Sequence, residues 1–379
     1  KQFTDFYEQN AHWLKDYSLF MALKESYGLA IWNSWEEDIR KRKPTALEEC
    51  STKLTNEIRC HQYQQFQFFK QWSELKRYCN QRGIWFIGDM AIFVALNSAE
   101  VWSHPEMFYL DKCGQPIVVA GVPPDYFSDI GQLWGNPLYR WDIMAKDGYN
   151  WWFERFRATL KLVDIIRLDH FRGFEKYWEV PTQETTAING RWVPGGGSEF
   201  FMAMQNALGE LPIIAEDLGV ITPDVKALRD QFGFPGMKVL HFAFSSDSEA
   251  DNYKPHNYPY NCVVYTGTHD NNTTVGWFRG SDITDTTQSK EEREKEIKLA
   301  LDYLGTDGHE INWDFIRLAL MSPANTAIIP LQDILGLDSK ARMNRPGTTE
   351  GNWRWRFSFD MLTNEISSRL KRLTTIYGR

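Results

Sequence analysis

The sequence lacks paired cysteine. Its five cysteines, Cys50, Cys60, Cys79, Cys113 and Cys262, are odd in number, scattered and without a C-x-x-C pair. That pattern fits neither a disulfide framework nor a zinc knuckle, and it points to a reducing compartment. No run of about eighteen apolar residues occurs, so no segment reads as a membrane-spanning helix. Basic residues are not in excess: 42 Lys and Arg stand against 50 Asp and Glu, a net charge of −8. Phosphate contacts need clustered Lys and Arg, so a nucleic-acid partner is not expected, and the partner should be neutral or cationic. There is no low-complexity linker and no internal repeat. Nucleophile motifs such as G-x-S-x-G are absent, and "GGGSEF" (195–200) has neither the spacing nor the preceding strand of a dinucleotide site.

What is present is a globular composition. Over 379 residues, 42% are hydrophobic, enough for a sizeable core in one large domain or two ordinary ones. Aromatic residues reach 15% and include 16 Trp. A large core accounts for most of them, but flat aromatic faces also suit the C–H faces of pyranose rings.

The first eighty or so residues read as helical. "FYEQNAHWLKDYSLFMALKESYG" keeps Trp13, Tyr17, Phe20 and Met21 near helical spacing and stops at Gly28; "QYQQFQFFKQWSELKRYCNQRG" does the same with Phe69, Trp72 and Tyr78 before Gly83. Short apolar runs follow, each ending in a polar cluster: "IWFIGDM" (84–90), "VDIIRLDH" (163–170), "LPIIAEDLG" (211–219), "GMKVLHFAF" (236–244), "CVVYTGTHD" (262–270) and "TAIIPLQDIL" (326–335). Such runs suit parallel strands buried on both faces. Helical patterns lie between several of them, including "SKEEREKEIKLALDYLG" (289–305), where Ser289 and Glu292 form a capping-box signature. Alternating strands and helices predict an α/β fold of βα units. The stretch 280–289, rich in Ser and Thr, reads as an exposed loop.

Carboxylates stand at the ends of these strands: Asp89, Asp169, Glu216 with Asp217, and Asp270. One such carboxylate ordinarily caps the next helix. In a parallel α/β barrel, however, all C-terminal strand ends meet at the face where active sites sit, and a set of four or five beside His and Arg suits shared chemistry. Glycoside transfer needs two carboxylates, one ionised and one protonated. Arg167 precedes Asp169 by two residues, so on an extended strand both point the same way and the cation favours an ionised aspartate, fitting a nucleophile. Glu216 follows the apolar "PIIA", where partial burial would keep a proton on its carboxyl, as a general acid/base requires. Asp217 should point away and orient or cap. Asp270 is suited to holding sugar hydroxyls and stabilising oxocarbenium charge. His170 and His269 match no zinc motif and fit better as hydrogen-bond donors to a sugar.

Taken together, "RLDHFRGF", "AEDLGVITPDV", "YTGTHDNNTT", "GDMAIFVA", "PPDYFSDIGQLWGNPLY" and "RMNRPGTTEGNW" resemble the 4-α-glucanotransferases (amylomaltases, or disproportionating enzymes) of the α-amylase superfamily, along essentially the whole chain. The resemblance implies Asp169 as nucleophile, Glu216 as acid/base and Asp270 as transition-state stabiliser. It also implies that Arg167, His170 and His269 hold the sugar at the cleavage point, with Asp89 as the third-strand aspartate. Asn344 falls in the substrate loop, Trp134 in the donor-side cleft, and Asp125, Tyr126 and Phe127 in a loop that closes over the acceptor side. The implied reaction is a retaining double displacement on malto-oligosaccharides and α-1,4-glucans, without metal or organic cofactor. The implied location is the cytoplasm, or the plastid stroma if the source is a plant.

Two departures from the family pattern stand out. Asn272 occupies the second acidic place of a motif that often reads "THDNDT". And six strands are counted, matching the third to eighth of a (β/α)8 TIM barrel with inserted helical subdomains. The expectation is therefore that residues 1–80 form an inserted helical subdomain with helix packing on the barrel, and residues 81–379 carry strands three to eight. On that reading the first two βα units precede Lys1, and the chain alone, with open sheet edges, should be poorly stable until an upstream segment of the same protein completes the barrel. Two alternatives share these residues: an α-1,4-glucan hydrolase, distinguished by how well loops exclude water, and a non-catalytic glucan-binding protein.

Overall fold

The computed structural model describes residues 1–124, 128–280, 289–348 and 350–379. Ten strands lie among them: β1 (Ile87–Ala91), β2 (Val118–Val122), β3 (Gln132–Pro137), β4 (Ile165–Asp169), β5 (Lys176–Pro181), β6 (Arg191–Pro194), β7 (Ile213–Ala215), β8 (Gly236–Val239), β9 (Cys262–Tyr265) and β10 (Thr326–Ile328). Six make one sheet in the order β1-β4-β7-β8-β9-β10 and four make a second in the order β3-β2-β5-β6. β1 runs parallel to β4, and β7, β8, β9 and β10 run parallel to their neighbours in turn. Helices connect the parallel strands, among them Asn150–Leu162 before β4, Gly197–Leu208 before β7, Pro223–Gln231 before β8 and Ile311–Met321 before β10. Parallel neighbours need such crossovers, and the expected α/β fold is present. Among the described residues no helix is long and apolar enough to cross a membrane.

The chain divides into two compact units. The first holds most of the chain up to Ile213, with Pro223–Leu228; the second holds Ile214–Thr222 and Arg229–Arg379.

In the first unit, helix Gln2–Ser26 packs on helix Thr55–Asn80 through aromatic pairs, with Phe6 5.7 Å from Phe66 and Trp13 6.0 Å from Phe69. The second helix begins at Thr55, earlier than its apolar stripe, because the polar residues before Gln62 include no breaker. It is tied to the segment entering β4, where Trp72 Nε1 donates to the Leu162 carbonyl at 2.7 Å and Lys76 pairs with Asp164 at 3.2 Å. Seven of the sixteen tryptophans are buried in the core, among them Trp152 and Trp141, which stack at 5.8 Å and pack against Phe174 and Phe200.

In the second unit, Leu240, Phe244, Val264, Trp277, Phe315 and Leu318 form the core. Helix Lys290–Leu304 carries the Ser289–Glu292 capping box in full.

Two expectations are corrected. "GMKVLHFAF" is a strand only to Val239 and then turns into a 3-10 helix, Leu240–Phe242. "TAIIPLQDIL" is a strand only to Ile328, since Pro330 offers no N–H to a ladder and instead caps helix Leu331–Ile334. The antiparallel sheet was not foreseen; its strands are short and interrupted by Gly and Pro. The stretch expected as an exposed loop falls largely on residues 281–288, outside the described residues.

Candidate functional site

The parallel pairing of β1 with β4 sets Asp89 opposite Arg167 in register. Side chains alternate along a strand, so Arg167 and Asp169 share a face. Arg167 is buried, and its Nη1 donates to Asp89 Oδ1 at 2.6 Å and to Asp169 Oδ1 at 2.9 Å. The two carboxylates stay partly open, their side chains 47% and 40% exposed, so Asp169 can meet a ligand while its charge is compensated from below.

His170 follows at once in a left-handed conformation, φ 54°, which turns its ring away from the strand direction. The ring packs edge-on against Trp134 of β3, centroids 4.8 Å apart. Burial, reinforced by the nearby Arg172 charge, pushes the His170 imidazole down to about 4 and keeps it neutral near pH 7. Close packing here needs Gly173, where a Cβ would lie 3.0 Å from His170 Cδ2. Asp125, Tyr126 and Phe127 lie outside the described residues.

In the second unit, Glu216 directly follows β7, is partly buried, and accepts the Leu218 N–H on Oε1 at 3.0 Å. Its neighbour Asp217 turns inward. Buried, it pairs with Arg229 and accepts the Met237 N–H at 2.7 Å, fastening the end of β7 to β8. Burial pushes the Asp217 carboxyl up, while Arg229 pulls against that rise. Asp217 therefore has the orienting place expected of it. Gly236 is required beside it, because a Cβ there would stand 2.5 Å from Asp217 Oδ2.

Asp270 sits on the loop after β9. Asn344 Nδ2 donates to its Oδ1 at 2.6 Å, and His269 Nε2 lies 3.4 Å from its Oδ2. The Asn344 N–H in turn donates to the His269 carbonyl at 3.0 Å. Arg342 braces the same corner, donating to the Asp270 carbonyl at 2.8 Å and the Asn344 carbonyl at 2.9 Å. Trp353, left-handed and 62% exposed, packs its ring 5.2 Å from that of His269.

The structure thus brings Asp89, Arg167 and Asp169 together, sets Trp134 against His170, and joins His269, Asp270 and Asn344. Sequence reasoning missed Arg342, although it lies inside the quoted "RMNRPGTTEGNW", and it noted Trp353 only as part of a loop. It also missed Asp333, in "PLQDIL", whose carboxylate accepts hydrogen bonds from Thr266 and Thr274 on either side of the Asp270 loop.

The comparisons with known proteins bear on this arrangement. A 4-alpha-glucanotransferase family model matches residues 1–363. A 4-alpha-glucanotransferase of Synechocystis sp. is 52% identical over 383 residues, covering 100% of this chain and 74% of that protein. One from Thermus thermophilus is 49% identical over 373 residues, covering 97% of this chain and 73% of the relative. Among solved structures, amylomaltase from Streptococcus agalactiae in complex with acarbose superposes with a TM-score of 0.93 at 40% identity, covering 100% of this chain and 74% of that one. With its strand-end carboxylates and a match along nearly its whole length, the chain belongs to the 4-alpha-glucanotransferase family and is a glycosyl-transferring enzyme.

Proposed function

We propose that this glucanotransferase works by a retaining double displacement in which Asp169, Glu216 and Asp270 serve one glycosidic bond of an α-1,4-glucan. The observation that carries the proposal is the buried Arg167, which holds Asp169 at 2.9 Å and leaves that carboxylate partly open. In the first step Asp169 attacks the anomeric carbon while Glu216 gives its proton to the departing glycosidic oxygen. This forms a glycosyl ester on Asp169 and releases the reducing-end fragment. In the second step Glu216 takes the proton of an acceptor 4-hydroxyl, whose oxygen displaces Asp169 and restores the α-linkage.

Asp270, held by Asn344, binds hydroxyls of the distorted sugar and stabilises the oxocarbenium-like charge. His170, neutral, can donate to or accept from a sugar hydroxyl, and Trp134 offers a flat face beside it. Asp89, Arg167, His269 and Asn344 complete the proposed substrate contacts, with Asp125, Tyr126 and Phe127 assigned by family resemblance. Malto-oligosaccharides serve as both donors and acceptors. The finer architecture belongs to the same proposal: the six strands of the first sheet fit positions three to eight of a (β/α)8 barrel, with residues 1–80 as helical additions.

Incubation with maltotriose alone, followed by chromatography, tests the reading. Glucose with a ladder of longer oligosaccharides is expected, and Asp169→Asn should abolish both. Glucose and maltose alone would mean that water, not a glucan, resolves the intermediate.

A further inference from the structure

The loop that carries His269 and Asp270 spans residues 267–273, from the end of β9 to the start of helix Thr274–Arg279. Both of its ends are fastened to one side chain. Asp333, only 1% exposed, accepts the Thr266 hydroxyl on Oδ2 at 2.5 Å and the Thr274 hydroxyl on the same oxygen at 2.8 Å; its Oδ1 accepts the Thr274 backbone N–H at 2.7 Å. Asp333 is itself fixed, because Asn312 Nδ2 donates to its carbonyl at 2.8 Å.

A second buried group continues the chain of hydrogen bonds. His241 Nε2 lies 3.1 Å from Thr274 Oγ1. With Asp333 ionised, the single proton of the Thr274 hydroxyl goes to it and the histidine presents Nε2–H to the hydroxyl oxygen. The other edge of that ring abuts the loop: a Cβ at Gly267 would stand 2.7 Å from His241 Cε1. Ring, hydroxyl and carboxylate thus form a floor beneath residues 267–273. A buried carboxylate is costly to the fold, and well-packed apolar side chains of similar volume would commonly stabilise it as well or better. What a carboxylate supplies, and an apolar group does not, is three convergent hydrogen bonds of fixed direction.

We infer that Asp333 is a positioning residue for Asp270: by clamping both ends of the 267–273 loop it holds the Asp270 carboxylate in the orientation set by Asn344 and His269. The inference rests on the proposed role of Asp270. It assigns Asp333 no contact with substrate.

The test is a double-mutant cycle in the full chain, with maltotriose disproportionation measured per folded molecule. Asp333→Asn keeps the shape but replaces an acceptor oxygen with a donor. It should lower kcat about a hundredfold, the scale of an ångström-sized misplacement, while KM changes by less than about threefold. In an Asp270→Asn background the same substitution should cost less than about threefold, since the residue it positions is already disabled. Thr274→Val should reproduce part of the kcat loss and Thr274→Ser should restore it, which keeps the question answerable if Asp333→Asn folds poorly. Equal fold-losses in the two backgrounds would overturn the inference, as would a lowered melting temperature with unchanged kcat. Retention of kcat by Asp270→Asn alone would overturn the assignment of Asp270 itself, and the inference with it; loss there without loss in Asp333→Asn would overturn the positioning role only.

Discussion

Arg167 Nη1 lies 2.9 Å from Asp169 Oδ1, two residues along the same strand, with the guanidinium buried and the carboxylate partly open. A buried cation under a partly open carboxylate compensates its charge while leaving it accessible to a ligand. Because the same nitrogen also donates to Asp89 at 2.6 Å, the two strands are joined at the point where the chemistry is proposed.

The first prediction concerns this guanidinium. Arg167→Lys keeps the charge but carries it on a flexible, more strongly hydrated ammonium, which is not preorganised to set one nitrogen between both carboxylates as the rigid guanidinium does. The charge-assisted bond to Asp169 should weaken by about 2 kcal/mol, or roughly thirtyfold in kcat/KM. Steady-state kinetics on maltotriose checks this. A variant within about threefold of the parent would remove Arg167 from the proposed machinery.

Much of this corner was legible in the sequence, for a definite physical reason. Parallel strands buried on both faces must be nearly continuous in apolar residues, so a charge at the end of such a run stands out, as Asp169, Glu216 and Asp270 do. The antiparallel strands β2, β3, β5 and β6 gave no comparable signal: they are short, Gly121 lies within β2 and Gly135 within β3, and the pairing that joins the two hairpins, β2 with β5, links residues about sixty apart. Asp333 was not singled out, because it lies beyond Pro330 in a short helix and its hydrogen bond to Thr266 joins residues 67 apart in sequence. Alternation along the strand sets Asp217 opposite Glu216, as expected, but spacing does not show what makes the inward place the choice of Asp217. That choice follows from Arg229 and the Met237 N–H, both supplied by later elements.

The second prediction uses the 2.6 Å contact between Asn344 and Asp270. Asn344→Asp would set two carboxylates at hydrogen-bond distance, where both cannot be ionised without heavy cost. If Asp270 acts as an anion, activity at neutral pH should fall, and the acid limb of the pH–rate profile should move toward higher pH. Asn344→Ala, which removes the donor without adding charge, should lower kcat and leave the limb much nearer its original place. Identical profiles for the two variants would contradict the argument.

A third prediction follows from His241. Burial, with Arg293 and Arg342 nearby, pushes its imidazole from the usual 6.5 down to about 3. In the unfolded chain the ring titrates normally. Between those two pH values the unfolded state binds a proton that the folded state does not, so stability is retained above pH 6.5 and falls as pH drops below it. By pH 5 the loss from this group is about 2 kcal/mol. Urea midpoints measured at pH 7 and pH 5 should therefore differ less in His241→Gln than in the parent, whatever packing is lost against Trp277 at both pH values. His170 contributes in the same direction, so the slope should shrink without vanishing.

The fourth prediction separates the adjacent acids Glu216 and Asp217. Glu216 is partly buried at the end of β7 and accepts a hydrogen bond from the Leu218 N–H. Glu216→Gln cannot deliver or accept the proton the reaction requires, so kcat should fall by about 10²–10⁴ with little change in melting temperature. Asp217 is buried against Arg229 and the Met237 N–H. Replacing it by Asn removes the buried counter-charge of Arg229 and leaves only the exposed Asp230 as its partner; breaking a buried pair from one side costs up to about 3–5 kcal/mol. Asp217→Asn should therefore melt well below the parent, yet the fraction that remains folded should turn over within about tenfold of the normal rate, since its loss reaches the chemistry only through the position of β7. The reverse pattern, a stable but inactive Asp217→Asn beside an active Glu216→Gln, would exchange the roles of the two acids, and with them the direction from which the leaving oxygen receives its proton.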